Sequence, residues 1–527
     1  MALLTKILSG EIQHLIVLIA FLTLLYILKH LKKSFKDLPP GPIGYPIVGI
    51  IPLIKKEFHL LLFDYAMKFG KIVSLKMGGE TVVVLSDYQT IKKAFSCKYF
   101  SARPKTELSQ LLGGYGIVNS EGPLWKTQRK YLLNQKLGMK HWKSGAGSLE
   151  QIESVVSREV QSFLYTLEND YSNTFVNLTP LFNCAVSNVI CSIIMSRRFR
   201  YQDPKFQRFM FLFDEGFRLF TMTGAMTFLP FLKVLPGISD TCTKLRQNRE
   251  EMIAFVREII SEHRQELDPQ NPKDLIDSYL VQESTPDQFF EDYDPEQQLE
   301  QIILDLFSAS VETTRTSLLW AIVFMLHNPK ILSKVRDELN SVVGEDNLPQ
   351  LSDMIKLPYT RATLYEIMRR SSVVPMGTTH ATDREVQFEG FVLPQNSHVI
   401  PLIHAVHMNP KNWENPEEFR PERFINKEGV LFKPEHFMPF GVGQRKCLGD
   451  RLAEQEFFLF FTSLVHVFDL GNNPEQTMPS LRGTAGVTVT PSEFSVHIKL
   501  RNKTALDFSN KESSSYCTKL SSDRIYG

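Results

Sequence analysis

The chain has 527 residues, 43% of them hydrophobic, and 59 basic against 58 acidic side chains give a net charge of +1. Such a length buries a large core, as several domains or one unusually large one, and the balanced charge leaves no electrostatic footprint for nucleic acid. Six scattered cysteines (Cys97, Cys184, Cys191, Cys242, Cys447 and Cys517) form no CxxC pair, which argues against a disulfide scaffold or a cysteine-rich zinc site and fits a reducing compartment.

In chain order, Ile12 to Leu28 is an uncharged apolar run of about the length of a membrane-crossing helix, followed by Lys29, Lys32, Lys33 and Lys36. Basic flanks stay on the cytoplasmic side, so residues 1–36 are expected to anchor a cytosolic globule; lysines stand where a signal peptidase would need small residues. Pro39-Pro40-Gly41-Pro42, with Gly44, Pro46 and Gly49, reads as a stiff hinge over 37–50. Lys71 to Met77 and Thr81 to Leu85 flank Gly78-Gly79-Glu80 as a hairpin. Amphipathic periodicity then predicts helices near 121–137, 148–167, 205–220, 243–266, 297–326, 330–342, 358–371 and 450–465, with strands near 385–403 and 486–500. No repeat of solenoid period occurs. The expected fold class is therefore mainly α with a minor sheet, one large domain over 51–501.

Residues 220–238 are apolar but broken by Gly224, Pro230, Pro236 and Gly237, a buried loop or a second membrane contact. Two glycosylation sequons, at Asn177 and Asn502, are of a kind that arises often by chance. From 502 to 527 the chain is polar and serine-rich, a flexible tail.

Within Phe437 to Asp450 (FMPFGVGQRKCLGD), Cys447 is surrounded by Gly441, Gly443 and Gly449, with Arg445 and Lys446 beside it. A buried structural cysteine is the plain reading. Against it, the glycines clear side chains from the sulfur, and the helical pattern from Leu448 places Cys447 at a helix N-terminus, where amides and the macrodipole favour a thiolate. These features describe a thiolate metal ligand approached by something flat and bulky.

Phe440-x-x-Gly443-x-Arg445-x-Cys447-x-Gly449 resembles the haem-binding signature of the cytochrome P450 superfamily, and further motifs follow in family order from Pro39 to about Arg501. The resemblance implies a P450 fold and haem b with Cys447 as axial metal ligand. It places Phe440, Gly441, Arg445 and Gly449 around the haem, and Trp125, Arg129, Arg445 and His380 at its propionates. Glu366, Arg369 and Arg423 would form the buried Glu-Arg-Arg cluster beneath it. In Ala309-Ser310-Val311-Glu312-Thr313-Thr314, Thr313 is expected to bond back to the Ala309 carbonyl and open the helix ladder. Glu312 and Thr313 would then relay protons. Serine at 310 departs from the family's usual glycine. Ala309, Val374 and Val487 match segments bordering a hydrophobic substrate pocket.

The implied activity is an NADPH- and O2-dependent monooxygenase of the microsomal, endoplasmic-reticulum type. The chain has no nucleotide-binding glycine loop, so electrons come from NADPH–cytochrome P450 reductase, docking among Lys126, Lys130, Lys433 and Lys446, with cytochrome b5 a further partner. The chain looks most like arthropod members that hydroxylate ecdysteroid side chains; broad xenobiotic or lipid oxidation, a haem-thiolate isomerase or dehydratase, and a non-catalytic haem sensor are the alternatives.

Overall fold

The computed structural model describes residues 37–54, 57–106, 109, 113–134, 146–283 and 293–501, with Val17, Leu18, Phe21 and Leu22 from the N-terminal segment. The remainder of the 12–28 run and the tail after 501 lie outside the described residues. Among the described residues no helix is long and apolar enough to cross a membrane.

The helices are α1 (Phe58–Phe69), α2 (Tyr88–Ser96), α3 (Gly122–Asn134), α4 (Ala146–Tyr171), α5 (Thr179–Met195), α6 (Pro204–Thr223), α7 (Ile238–Glu266) and α8 (Leu275–Glu283), then α9 (Pro295–His327), α10 (Pro329–Val343), α11 (Pro358–Ser371), α12 (Ile403–His407) and α13 (Asp450–Val467). The strands are β1 (Ile72–Met77), β2 (Glu80–Leu85), β3 (Thr174–Val176), β4 (His380–Ala381), β5 (Val386–Phe388), β6 (Phe391–Leu393), β7 (His398–Pro401), β8 (Phe468–Asn472), β9 (Thr484–Ala485), β10 (Val489–Thr490) and β11 (Val496–Leu500). Every helix expected from periodicity is present. Periodicity missed α1, α2, α5, α8 and α12; in α5 nearly every residue from Leu181 to Met195 is buried and no polar face marks the period.

The central helix is α9, about 50 Å long at the standard rise. Asp294 caps it, its carboxylate accepting from the Glu296 and Gln297 amides, and Pro295 opens the first turn. It packs on α5, α7, α11 and α13, and its buried residues run almost continuously along both ends. One large hydrophobic core surrounds these helices, and two smaller clusters cover the faces of a four-stranded sheet ordered β1-β2-β7-β4. In that sheet β1 and β2 form the expected hairpin, while β2 runs parallel to β7 in the register Val82↔His398 to Leu85↔Pro401. A second sheet is ordered β3-β11-β8.

The segment between α12 and α13 carries Cys447, and its position is set by close backbone contact with α2. Gly443, at φ +81°, lies so near the end of α2 that an added Cβ would stand 2.3 Å from the Phe95 carbonyl oxygen. The Gln444 amide donates to that same carbonyl at 3.1 Å. Gly441, at φ +69°, has open space where its Cβ would be. Gly443→Ala should therefore lower the thermal midpoint well beyond Gly441→Ala, by the equivalent of about 1–3 kcal/mol of extra strain. Equal losses in the two variants would show that the Phe95 contact yields freely.

Candidate active site

A cavity of about 340 Å³ lies between α9 and the Cys447 loop. Its wall includes Ala309, Ser310, Thr313, Thr314 and Ser317 of α9; Phe440, Gly441, Arg445, Cys447 and Gly449 of the loop; Glu456 of α13; and Val374 and His380. Cys447 is exposed to this cavity rather than to bulk water. Its amide donates to the Phe440 carbonyl at 3.0 Å, which closes the loop into a tight hairpin. Gly441 and Gly449 present open space, so a flat group can reach the sulfur there. Gly443 differs from the sequence expectation: it serves the packing on α2. Burial pushes the Cys447 thiol up; the Gly449 amide works against this, Asp450 adds to it, and Arg129 and Lys446 oppose it. A metal cation at the sulfur would favour the thiolate against that burial.

Beside the sulfur lies a cradle for negative charge. The Trp125 indole N–H is buried and, among the described residues, has no hydrogen-bond partner. The Arg445 guanidinium stacks over its ring at 4.0 Å and donates to the Ser101 carbonyl at 3.0 Å and the Ser120 carbonyl at 2.6 Å. Arg129 donates to the Lys446 carbonyl at 2.6 Å. A third cation, Arg103, donates to the Val118 and Thr379 carbonyls, each at 2.8 Å. Among the described residues none of these three guanidiniums has a carboxylate in ion-pair contact. Burial, aggravated by Arg103 and Arg129, drives Arg445 down to about 8, and burial drives Arg103 to about 10. Clustered cations without a carboxylate in ion-pair contact and an orphaned N–H are what an anionic cofactor edge satisfies, so these residues fit a haem with its propionates.

His380 borders the same cavity, stacked on Phe95 at 3.7 Å, with Nδ1 2.7 Å from the Phe100 carbonyl. Burial and the Arg103 charge push it down to about 3, so the ring is neutral. Nδ1–H then donates to Phe100, leaving Nε2 an acceptor; a propionate beside it would raise the ring's proton affinity, and only the protonated ring would donate to that anion through Nε2.

The Glu-Arg-Arg cluster is assembled with Glu366 and Arg369 fully buried. Arg369 grips Glu366 at 2.7 and 2.8 Å, and Arg423 Nε lies 3.1 Å from Glu366 Oε1, which also accepts from the Arg420 amide at 2.9 Å. Arg369 further donates to the His407 carbonyl at 2.8 Å. His407, buried and held well below its usual range by that burial and by Arg369, accepts from the Met438 amide at Nε2, 3.1 Å away, so its Nδ1–H donates to Ser372. The cluster thereby reaches the start of the cysteine loop through one imidazole.

On α9, Thr313 lines the cavity and its hydroxyl donates to the Ala309 carbonyl at 2.7 Å, as expected. The helix nevertheless runs unbroken from Pro295 to His327, so this bond does not open the ladder. Glu312 does not line the cavity. It faces α6 and the 484–490 hairpin, ion-paired to Arg315 and accepting from the Thr488 hydroxyl at 2.6 Å, while Arg315 also holds Asp214 at 2.9 Å. Consecutive helix positions point about 100° apart, so Glu312 and Thr313 cannot share a direction. Ala309 and Val374 border the cavity; Val487 does not, and its side chain is exposed.

Sequence reasoning missed Arg103, His407 and Glu456. Glu456 is fully buried and, among the described residues, has no cation in ion-pair contact; an acid just before Phe457-Phe458-Leu459-Phe460-Phe461 was the available signal. Of the four lysines named for docking, Lys126 and Lys130 line an open depression with Trp125, Arg129 and Gln444, whereas Lys433 pairs with Glu454 and Lys446 with Asp450.

Glu366→Ala strands two guanidiniums and should destabilise the fold by about 3–5 kcal/mol, read as a lower thermal midpoint and protein purified without haem; normal haem content would contradict this. Burial pushes Glu456 up to about 8, with Thr314 offsetting a part. Stability carried by its proton is complete below the ordinary carboxyl range and lost as pH rises toward that value. Glu456→Gln should thus gain stability relative to the parent as pH is raised through this window, and a constant difference in thermal midpoint would refute the buried proton.

The chain matches the family model described as Cytochrome P450 over residues 39–498. It is 44% identical to cytochrome P450 18a1 of Drosophila melanogaster over 505 residues, covering 94% of this chain and 93% of that protein. It is 34% identical to cytochrome P450 2U1 of Bos taurus, covering 88% of this chain and 90% of that protein. With cytochrome P450 2B4 of Oryctolagus cuniculus the identity is 32%, over 92% and 99% of the two chains.

Proposed function

The chain belongs to the cytochrome P450 family, and from that premise we propose that it is a membrane-bound haem-thiolate monooxygenase acting on a hydrophobic steroid, an ecdysteroid side chain being the preferred target. The observation that carries this reading is the Cys447 sulfur at the wall of a cavity whose rim bears the orphaned Trp125 N–H and the unpaired Arg103, Arg129 and Arg445. Cys447 would hold the haem, which when bound would supply the activation of O2.

The protein's own part is to hold, orient and deliver protons. Trp125, Arg129 and Arg445 take the anionic edge, and the Glu366 cluster fixes the loop. Thr313 presents its hydroxyl at the cavity wall, pinned by the Ala309 carbonyl and so held in one rotamer. Glu312, engaged by Arg315, reaches that hydroxyl only by leaving its ion pair. Ala309 and Val374 supply apolar contact to the substrate. The 44% identity to a fly cytochrome P450, against 34% to a mammalian one, agrees with the arthropod part of this reading.

Electrons are assigned to NADPH through a reductase docking at the Lys126 and Lys130 depression, on the cysteine side. A membrane-facing surface is assigned to two segments that meet at the β1–β2 turn. The Gly78 amide donates to Val48, and the same residue abuts the Phe228 carbonyl. Around this meeting point Ile43, Ile47 and Val234 are 97%, 82% and 82% exposed, an apolar set suited to the headgroup layer of the endoplasmic reticulum.

The test is reconstitution with reductase and NADPH, offering ecdysteroids and lipophilic foreign compounds and identifying products by mass. An oxygenated steroid is expected; turnover of foreign compounds alone would assign a broad oxidase, and product without NADPH an isomerase. Thr313→Ala should consume NADPH while product falls about ten-fold or more, the difference released as hydrogen peroxide. Unchanged coupling would remove Thr313 from proton delivery.

A further inference from the structure

Six hydroxyls stand on α9, and that of Thr316 is buried and does not line the cavity. Ser308 donates to the Asp305 carbonyl at 3.1 Å, Thr313 to Ala309 at 2.7 Å and Ser317 to Thr313 at 2.8 Å, each returned to its own helix. Thr314 faces the Glu456 carboxyl. Ser310 borders the cavity and, among the described residues, has no hydrogen-bond partner, although Leu306 stands four residues earlier where a helical serine ordinarily bonds.

Positions 310, 313, 314 and 317 share one helix face, so Ser310 lies one turn from Thr313 on the same wall. Val373, Val374, Ile117, Val118 and Leu306 make the neighbouring lining apolar. An uncommitted hydroxyl in an apolar wall discriminates strongly, because a ligand oxygen opposite it satisfies both groups and a hydrocarbon opposite it leaves the hydroxyl dry and unpaired.

We propose that Ser310 is a specificity-determining residue that donates a hydrogen bond to a hydroxyl or carbonyl oxygen of the substrate, close to the carbon that reacts. This selects an already oxygenated apolar skeleton over a plain hydrocarbon. It rests on the reading of this cavity as the substrate site and deepens it: the reaction supplying this substrate must itself leave an oxygen function on the skeleton. The methylene of Ser310 also narrows the wall, and an alanine keeps that bulk while removing only Oγ.

The experiment uses the purified haem-loaded enzyme, the Ser310→Ala variant, and equilibrium dialysis with two probes: a steroid bearing a side-chain hydroxyl and the matched steroid lacking it. The wild type is expected to prefer the hydroxylated probe. Ser310→Ala should weaken that probe about two- to ten-fold and leave its partner within about two-fold. Equal changes for both probes, the result expected if Ser310 serves only water or bulk, overturn the proposal, as does no change for either. A wild type that binds neither steroid overturns the substrate class together with this assignment. Binding of both probes with the expected preference, but without NADPH-supported product, would overturn the monooxygenase reading and leave Ser310 in place.

Discussion

The architecture of the site depends on one buried carboxylate. Glu366, with no solvent exposure, binds Arg369 through two parallel bonds, Arg423 through a third and the Arg420 amide through a fourth. Desolvating three charged groups is tolerable only because nearly all their polar atoms are engaged. The unspent donors of Arg369 and Arg423 go to carbonyls of 407, 414 and 416, so the cluster sets the path of the chain leading to the cysteine loop. From there a neutral histidine passes the constraint to Met438, and Gly443 completes it by seating the loop against α2.

Around the cavity the electrostatics are divided by face. Cations without carboxylate partners gather beside Cys447, where desolvation lowers the affinity of Arg103 and Arg445 for their own protons. That strain is relieved when an anion arrives, so cofactor binding and folding stability are linked. On the α9 face the wall is mostly apolar and hydroxylic, and its charged neighbour, Glu312, is drawn into the Arg315–Asp214 network between α9 and α6. Arg315 thus ties Asp214 of α6 to the only acid adjacent to Thr313 in sequence.

Some of this was readable in the amino-acid order and some was not. Phe440, Arg445, Cys447 and Gly449 occupy one loop, so their spacing encodes their proximity. Trp125 and Arg129 are one helical turn apart, and Glu366 and Arg369 three residues apart, which places each pair on a shared face before any packing is considered. The reading failed where direction mattered. Glu312 adjoins Thr313 in sequence yet points elsewhere, Val487 is exposed and does not line the cavity, and Gly443 clears space for a neighbouring helix instead of a cofactor.

The sequence alone determined the mainly helical class, the positions of the amphipathic helices and the family, because periodicity and local motifs act over a few residues. Tertiary structure alone decided that Arg103 joins Arg129 and Arg445, that His407 links two motifs, that β2 pairs with β7 more than 300 positions away, and that the Ser310 hydroxyl is left uncommitted. Contacts between remote segments depend on the balance of burial and polar satisfaction over the whole core, and no local stretch of sequence carries that balance.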